Sequence, residues 1–155
     1  MTPAINTAKQ NKVIYKVHEY QHDATAESYG DEAAQKLGIA TDRVFKTLVV
    51  SIDRKALVVA VLPVSAMLSM KLIAKACSAK KATMADKADV ERSTGYVLGG
   101  VSPLGQKKRL KTFIDASAQQ FPTIYISAGK RGLEIELSPQ DLQKLTQANM
   151  AGICQ

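Results

Sequence analysis

The chain has only two cysteines, Cys77 and Cys154, far apart and outside any C-x-x-C pair, which excludes a disulfide framework and a thiolate zinc site. A reducing cytoplasm fits that usage. No stretch reaches the roughly 18 uninterrupted apolar residues of a membrane span, and the opening MTPAINTAKQNK lacks the apolar core of an export signal. The expectation is a soluble, cytoplasmic protein with no membrane partner. There is no G-x-S-x-G elbow, no Walker loop and no Rossmann glycine fingerprint, and neither cysteine has an obvious histidine partner nearby. Conventional covalent hydrolysis has no support in the sequence, although a triad assembled in space leaves no such trace. Internal repeats, low-complexity tracts and linkers are missing too.

What is present can build a core. The 155 residues are 46% hydrophobic and 23% charged, with 9 Gly and 5 Pro, a globular composition rather than a disordered or fibrous one. Since one core usually organises about 100 to 200 residues, residues 1–155 are expected to form a single domain. Lys plus Arg number 21 against 14 Asp plus Glu, a net charge of +7. Such a charge suits a polyanionic partner such as RNA, and equally a surface kept basic for solubility.

Thr2 and Pro3 read as the cap and first residue of a helix to about Lys12. VIYKVHEY, residues 13–20, alternates as a strand does. Asp31 opens DEAAQKLG, a short helix stopped by Gly38. Residues 44–52 and 56–63, separated by Asp53, Arg54 and Lys55, read as a hairpin of two buried strands at the centre of the core. Residues 70–77 and 86–93 suit short helices. TGYVLGGVSPLG, residues 94–105, holds four glycines and a proline, which implies a shaped loop around a short strand, with backbone free to approach a ligand. Residues 110–114, 123–127 and 133–137 are further strands, and Ser138 with Pro139 starts a last helix. Strands mixed with scattered short helices, without regular β-α-β alternation, predict an α+β domain whose curled sheet is mixed or antiparallel.

Among residues that can carry chemistry, His18 and His22 resemble a metal pair, but four strand residues span about 13 Å, too far for one ion. No third clustered ligand accompanies them, so no metal site is predicted. Tyr20 lies midway and is expected on their face of the strand. Lys46 interrupts an apolar run and points the same way as Leu48 and Val50, so its stem enters the core or a cleft lining, or its ammonium reaches water from the strand end. Gly99, Gly100 and Val101 can present successive amides to an anion or to a carbonyl oxygen gaining charge, as ester cleavage requires, or can simply form a tight connection. Lys107, Lys108, Arg109 and Lys111 follow. With Lys130 and Arg131 at the next glycine-rich turn they make two basic clusters, either flanking one phosphate-attracting mouth or merely solvated.

STGYVLGGVSPLGQKKR, residues 93–109, closely resembles the central signature of the YbaK/EbsC family of aminoacyl-tRNA deacylases. MTPAI, HEYQHD, YGDEAAQKLGI, FKTLVV, MADK and IYISAGKRGLEIEL resemble other family segments in family order, covering essentially the whole chain. The pattern is most similar to the free-standing bacterial members that clear cysteine from proline tRNA. The resemblance implies a mixed, barrel-like sheet flanked by short helices, and a reaction without metal or cofactor. The substrate it implies is mischarged Cys-tRNA(Pro), handed over in a transient complex with prolyl-tRNA synthetase. It puts the family's essential lysine on Lys46, its substrate-contacting tyrosine on Tyr20, its pocket glycine on Gly99, and the serine before the second glycine-rich turn on Ser127. The chain departs from the family at Tyr29, where Phe is usual, at Ala128, where Gly is, and at Glu134, commonly Asp, a position that bears on how a substrate amino group is held. The implied mechanism turns the cysteinyl thiol on its own ester, with the backbone of residues 99–101 as oxyanion hole. Two other readings remain at this point: a deacylase for alanine or serine esters, and a non-catalytic RNA-binding module.

Overall fold

The computed structural model describes every residue except Glu27. Helix α1, Pro3–Gln10, begins where Thr2 accepts the Ile5 amide and Pro3 sits at a position that needs no donor. It ends at Gln10, with Asn11 as its cap, two residues short of the expected end. Strand β1, Tyr15–Glu19, is shorter than its alternating pattern at both ends. Helix α2, Tyr29–Leu37, starts two residues ahead of Asp31, because Ser28 supplies the cap and Asp31 and Glu32 occupy the first turn beside the free amides. Gly38 ends it with φ 69°, as expected.

The hairpin β2, Phe45–Ile52, and β3, Ala56–Pro63, pairs antiparallel from Phe45 opposite Pro63 to Ile52 opposite Ala56. Helix α3, Met70–Ala76, is capped by Ser69. Strand β4, Ala82–Met84, then adds to the free edge of β2, a pairing too short for its pattern to announce. Helix α4, Lys87–Thr94, leads into residues 95–110, where the expected short strand is absent and turns take its place. The reason is local. The Tyr96 hydroxyl donates to the Leu104 carbonyl, and Gly105 brings its backbone so close to α1 that a Cβ would lie 2.6 Å from Pro3. Strands β5, Lys111–Asp115, β6, Ile124–Ser127, and β7, Leu133–Leu137, follow, with a 3₁₀ turn at Ala116–Gln120. Helix α5, Pro139–Thr146, is capped by Ser138, and the unexpected strand β8, Asn149–Ala151, closes the order.

The α+β expectation holds, and the curled sheet divides in two. Strands β1, β7 and β6 form an antiparallel sheet, and β4, β2, β3, β5 and β8 form a mixed one in which β3, β5 and β8 run parallel. A parallel bridge between Val44 and Tyr125 joins them, reinforced by the Tyr125 amide donating to the Arg43 carbonyl. Between the sheets lie Phe45, Val49, Val59, Val61 and Ile114 from one, and Ile124, Ile126, Ile135 and Leu137 from the other. Each fully buried aliphatic chain there contributes about 1.5 to 3 kcal/mol of transfer free energy. The opposite face of the five-stranded sheet packs Val50, Val58, Leu62 and Phe113 against Ile73 of α3 and Ile153. Period two sends alternate residues of β2 into these two cores, so consecutive side chains of one strand serve different neighbourhoods. Among the described residues no helix is long and apolar enough to cross a membrane.

Candidate active site

The turn joining β6 to β7 meets the glycine-rich loop after α4 along bare backbone. A Cβ on Gly100 would lie 3.3 Å from Lys130 Cα, and one on Gly99 would lie 2.6 Å from the Tyr29 ring. Gly99 has φ 97°, a conformation that side chains other than glycine's rarely adopt. The Tyr29 ring is therefore laid against the Gly99 backbone, and the Arg131 guanidinium stacks on that ring, 3.5 Å from its centroid. Tyr20, just past β1, donates its amide to the Gly132 carbonyl, which brings its backbone to the same turn. Tyr20, Tyr29, Gly99, Gly100, Val101, Lys130 and Arg131, brought from four segments of the chain, form one cluster.

Its polar groups are short of partners. Arg131 Nε and Nη2 are buried and unbonded among the described residues. Glu134 is 7% exposed, its carboxyl makes no hydrogen bond among the described residues, and burial pushes its pKa up to about 8. Burial raises the Tyr20 phenol, helped by the Glu134 and Glu32 charges and opposed by the Gly132 backbone and Arg131. Ser127 pairs across the sheet with Glu134, and its hydroxyl accepts the Gly129 amide at 3.0 Å; among the described residues no base accepts its proton. The left-handed residue of that turn is Gly129, φ 99°, and the methyl of Ala128 is absorbed in the inner core; the departure to alanine costs no backbone strain.

Two expectations need correction. The Gly100 amide donates to the Val97 carbonyl at 2.9 Å, closing a turn, so it is not available to an oxyanion; among the described residues the Gly99 and Val101 amides carry no such bond. The two basic clusters also part company. Lys108 and Arg109 line a hollow against Thr7 of α1 and Leu145 and Thr146 of α5, and the Lys111 ammonium lies over the Phe113 ring, whereas Lys130 and Arg131 stand at Gly100 and Tyr29.

Lys46 is half-buried on the outer face of β2, with Leu48 and Val50, and its ammonium donates to the Ala66 carbonyl at 2.8 Å. Its hydrogen bond goes to Ala66, and among the described residues none reaches Gly99. The link is the loop after β3, whose Val64 packs on Gly30 beside Tyr29. His18 Nε2 lies 2.9 Å from Glu136 and His22 Nδ1 lies 2.8 Å from Glu32; each histidine has its own carboxylate, and among the described residues no group of three metal-ligating side chains occurs. His22 is outside β1, so the shared strand face expected for both histidines and Tyr20 does not form.

Thr47 is the residue that sequence reasoning missed. Its hydroxyl is buried without a partner among the described residues, on the inner face with Phe45 and Val49. The signal was available: a hydroxyl at an inward position of a Val-rich strand, next to the lysine that had drawn attention.

A buried guanidinium, a carboxyl whose pKa burial raises to about 8, and two amides with no backbone partner among the described residues meet at this cluster. The family model of the aminoacyl-tRNA editing domain matches residues 23–145, a span that holds Tyr29, Lys46, Gly99, Arg131 and Glu134 and leaves Tyr20 just outside. The chain is 42% identical, over 98% of its length and 92% of the relative's, to a protein of Enterococcus faecalis described as a Cys-tRNA(Pro)/Cys-tRNA(Cys) deacylase, EbsC. In fold it is similar to a solved protein described as a trans-editing enzyme for prolyl-tRNA synthetase, with TM-score 0.84 at 22% identity over 98% of this chain and 92% of that one. It is also similar to the protein designated APE2540, with TM-score 0.88 at 22% identity over 99% of both chains. With four-fifths of its residues in the family match and a relative alike from end to end, the chain belongs to the aminoacyl-tRNA editing domain family.

Proposed function

We propose that residues 1–155 act as one cytoplasmic deacylase unit that clears Cys-tRNA(Pro) by turning the cysteinyl thiol on its own ester. One observation carries the mechanism: among the described residues the cluster around Gly99 contains no activated nucleophile. No base accepts the Ser127 hydroxyl proton there, and the Cys154 thiol lies apart in the outer core, pushed up to about 12 by burial, aided by Asp115. The substrate must then bring the reactive atom. Its sulfur attacks the carbonyl carbon, the carbonyl electrons move onto oxygen, and the Gly99 and Val101 amides receive that oxyanion. Collapse breaks the bond to the ribose oxygen, which leaves with the thiol's proton. The resulting four-membered thiolactone opens in water to free cysteine.

In this reading Glu134, ionised on binding, holds the substrate α-ammonium, and Tyr20 and Tyr29 close the pocket. Arg131 and Lys130 face the terminal phosphate, and Lys46 orients the terminal nucleotide. Proximity is the main contribution, since a bound thiol at attack distance replaces a bimolecular encounter. The basic side chains grip phosphates without reading bases, so selection of proline tRNA falls to a transient complex with prolyl-tRNA synthetase. The 42% identity to EbsC supports the choice of substrate.

The test presents cysteinyl-, seryl- and alanyl-tRNA(Pro) and measures ester loss against uncatalysed hydrolysis. Rapid loss of the cysteinyl ester alone is expected. Equal loss of the seryl ester, which carries a hydroxyl in place of the thiol, would overturn thiol assistance.

A further inference from the structure

Lys46 is held from a distance by a part of the chain far from the Gly99 cluster. Its ammonium donates to the Ala66 carbonyl at 2.8 Å, and the loop that presents Ala66 is itself stitched to residues 153–155. The Ser69 amide donates to the Ile153 carbonyl at 2.8 Å, Leu68 and Cys154 form an antiparallel bridge, and the Gln155 amide donates to the Met67 carbonyl at 2.9 Å. Ile153 is completely buried in the outer core with Leu68.

That segment is anchored in turn by one carboxylate. Asp115, at the end of β5, accepts the Ile153 amide on Oδ1 at 3.1 Å and the Ser117 amide and hydroxyl on Oδ2. It is 6% exposed; although burial raises it, the hydrogen bonds from Ser117 and Ile153 hold the carboxyl below its ordinary value, so it stays a charged, fixed acceptor. From Asp115 to Lys46 the chain of bonds is continuous: carboxylate, Ile153 amide, the bridge to residues 67–69, the Ala66 carbonyl, the ammonium.

We infer that Asp115 and residues 153–155 are positioning residues for Lys46. The inference rests on the reading of Lys46 as a substrate-orienting group. A lysine on four flexible bonds has many rotamers, and orienting a nucleotide requires one of them; a carbonyl held on a fixed loop selects it before substrate arrives. A loop tied only at its own ends would let Ala66 drift, and small displacements of an orienting group lower turnover more than binding.

The test uses the full chain with Asp115→Ala, Gln155→Pro and Gln155→Ala, reading the ¹⁵N resonance of the Lys46 ammonium together with kcat and KM for cysteinyl-tRNA(Pro). Proline at 155 deletes one amide donor and suits the extended backbone before it, while alanine keeps the donor. Asp115→Ala is expected to shift the resonance and lower kcat about tenfold, and Gln155→Pro about threefold, with KM within about twofold, as loss of orientation predicts. Gln155→Ala should match the native protein. Should Asp115→Ala fail to fold, Gln155→Pro alone decides. An unmoved resonance in the folded variants overturns the inference. So does a shifted resonance with native kcat while Lys46→Ala abolishes turnover. If Lys46→Ala itself leaves turnover intact, the orienting role of Lys46 falls, and the resonance still decides whether the segment holds it.

Discussion

The two faces of β2 differ in how their polar groups are satisfied. Outward, Lys46 has the Ala66 carbonyl and Asp115 has Ser117 and Ile153, so the charged groups there are bonded within the chain. On the inner face the Thr47 hydroxyl, and at the adjoining glycine turn Arg131 Nε and Nη2, are buried and bond nothing among the described residues, and the carboxyl of buried Glu134, on the opposite face of β7 from Ile135, makes no hydrogen bond among them. Burying a polar group without a partner costs about 1 to 3 kcal/mol in proteins, more for a charge. A fold keeps such a cost where something else completes the bonds. The contrast separates a region built to support from a region built to receive, and it does so without reference to any relative.

Substitution at Gly99 should break the receiving side most severely. Gly99→Ala puts a methyl where the Tyr29 ring lies 2.6 Å away, on a backbone with φ 97°. The loop must shift, and the amide offered to the oxyanion shifts with it. Loss of one such donor lowers kcat about 100-fold or more, measurable by single turnover on cysteinyl-tRNA(Pro). A Gly100→Ala change, whose amide already serves Val97, should cost less, and equal losses at the two glycines would erase the distinction drawn between them.

Next in size is Lys46→Ala, on the supporting side. Removing a charged hydrogen-bonding partner of substrate costs about 1.5 to 3 kcal/mol, or roughly 10- to 100-fold in kcat/KM. Because the ammonium is half-buried and bonded to a surface loop rather than to the core, the melting temperature should change little. A large fall in stability with unchanged kcat/KM would move Lys46 from function to structure.

How much of this contrast the bare chain discloses depends on what carries it. Strands β2, β3 and β6 are legible as short apolar, β-branched runs and β7 by its alternation, and the helix starts at Pro3 and Pro139 because a cap and a proline mark them. Strands β4 and β8, three residues each, are not legible, since their stability comes wholly from edges that other strands happen to expose. At the site, Gly99 is marked by its composition and Lys46 by its interruption of an apolar run. The stacking of Arg131 on Tyr29 joins residues about a hundred positions apart, and no spacing rule reaches that far. Gly100 looked like a free amide because sequence shows that a glycine can turn and not which carbonyl its N–H will find.

Glu134 gives the contrast a pH axis. Its carboxyl is pushed from an ordinary 4.5 up to about 8 by burial, so the folded state holds a proton that the unfolded chain gives up. The stability this proton supports is complete below pH 4.5 and is lost as pH rises toward about 8. Glu134→Gln, which keeps the uncharged shape, should therefore melt near the native protein at pH 4 and above it at pH 9. In the native protein kcat/KM for cysteinyl-tRNA(Pro) should rise with pH as the carboxylate forms to meet the substrate ammonium, and the rise should flatten in the Gln variant. A pH-independent difference in melting would mean that Glu134 is ionised throughout.

The smallest effect belongs to Tyr29→Phe, and it sharpens the comparison because it restores the residue usual in the family. The ring itself closes on Gly99 and carries Arg131, and Phe keeps that ring. Tyr29 is 41% exposed and its hydroxyl makes no hydrogen bond among the described residues, so removing it leaves no orphaned partner. Activity should stay within about twofold, since truncating one partly exposed hydroxyl is worth a few tenths of a kcal/mol to about 1. Tyr29→Ala should do far more, freeing the Arg131 guanidinium from its stack and opening the pocket to water. If Phe proved as harmful as Ala, the hydroxyl would be a substrate contact, and Tyr29 would belong among the groups that await a ligand rather than among those that frame it.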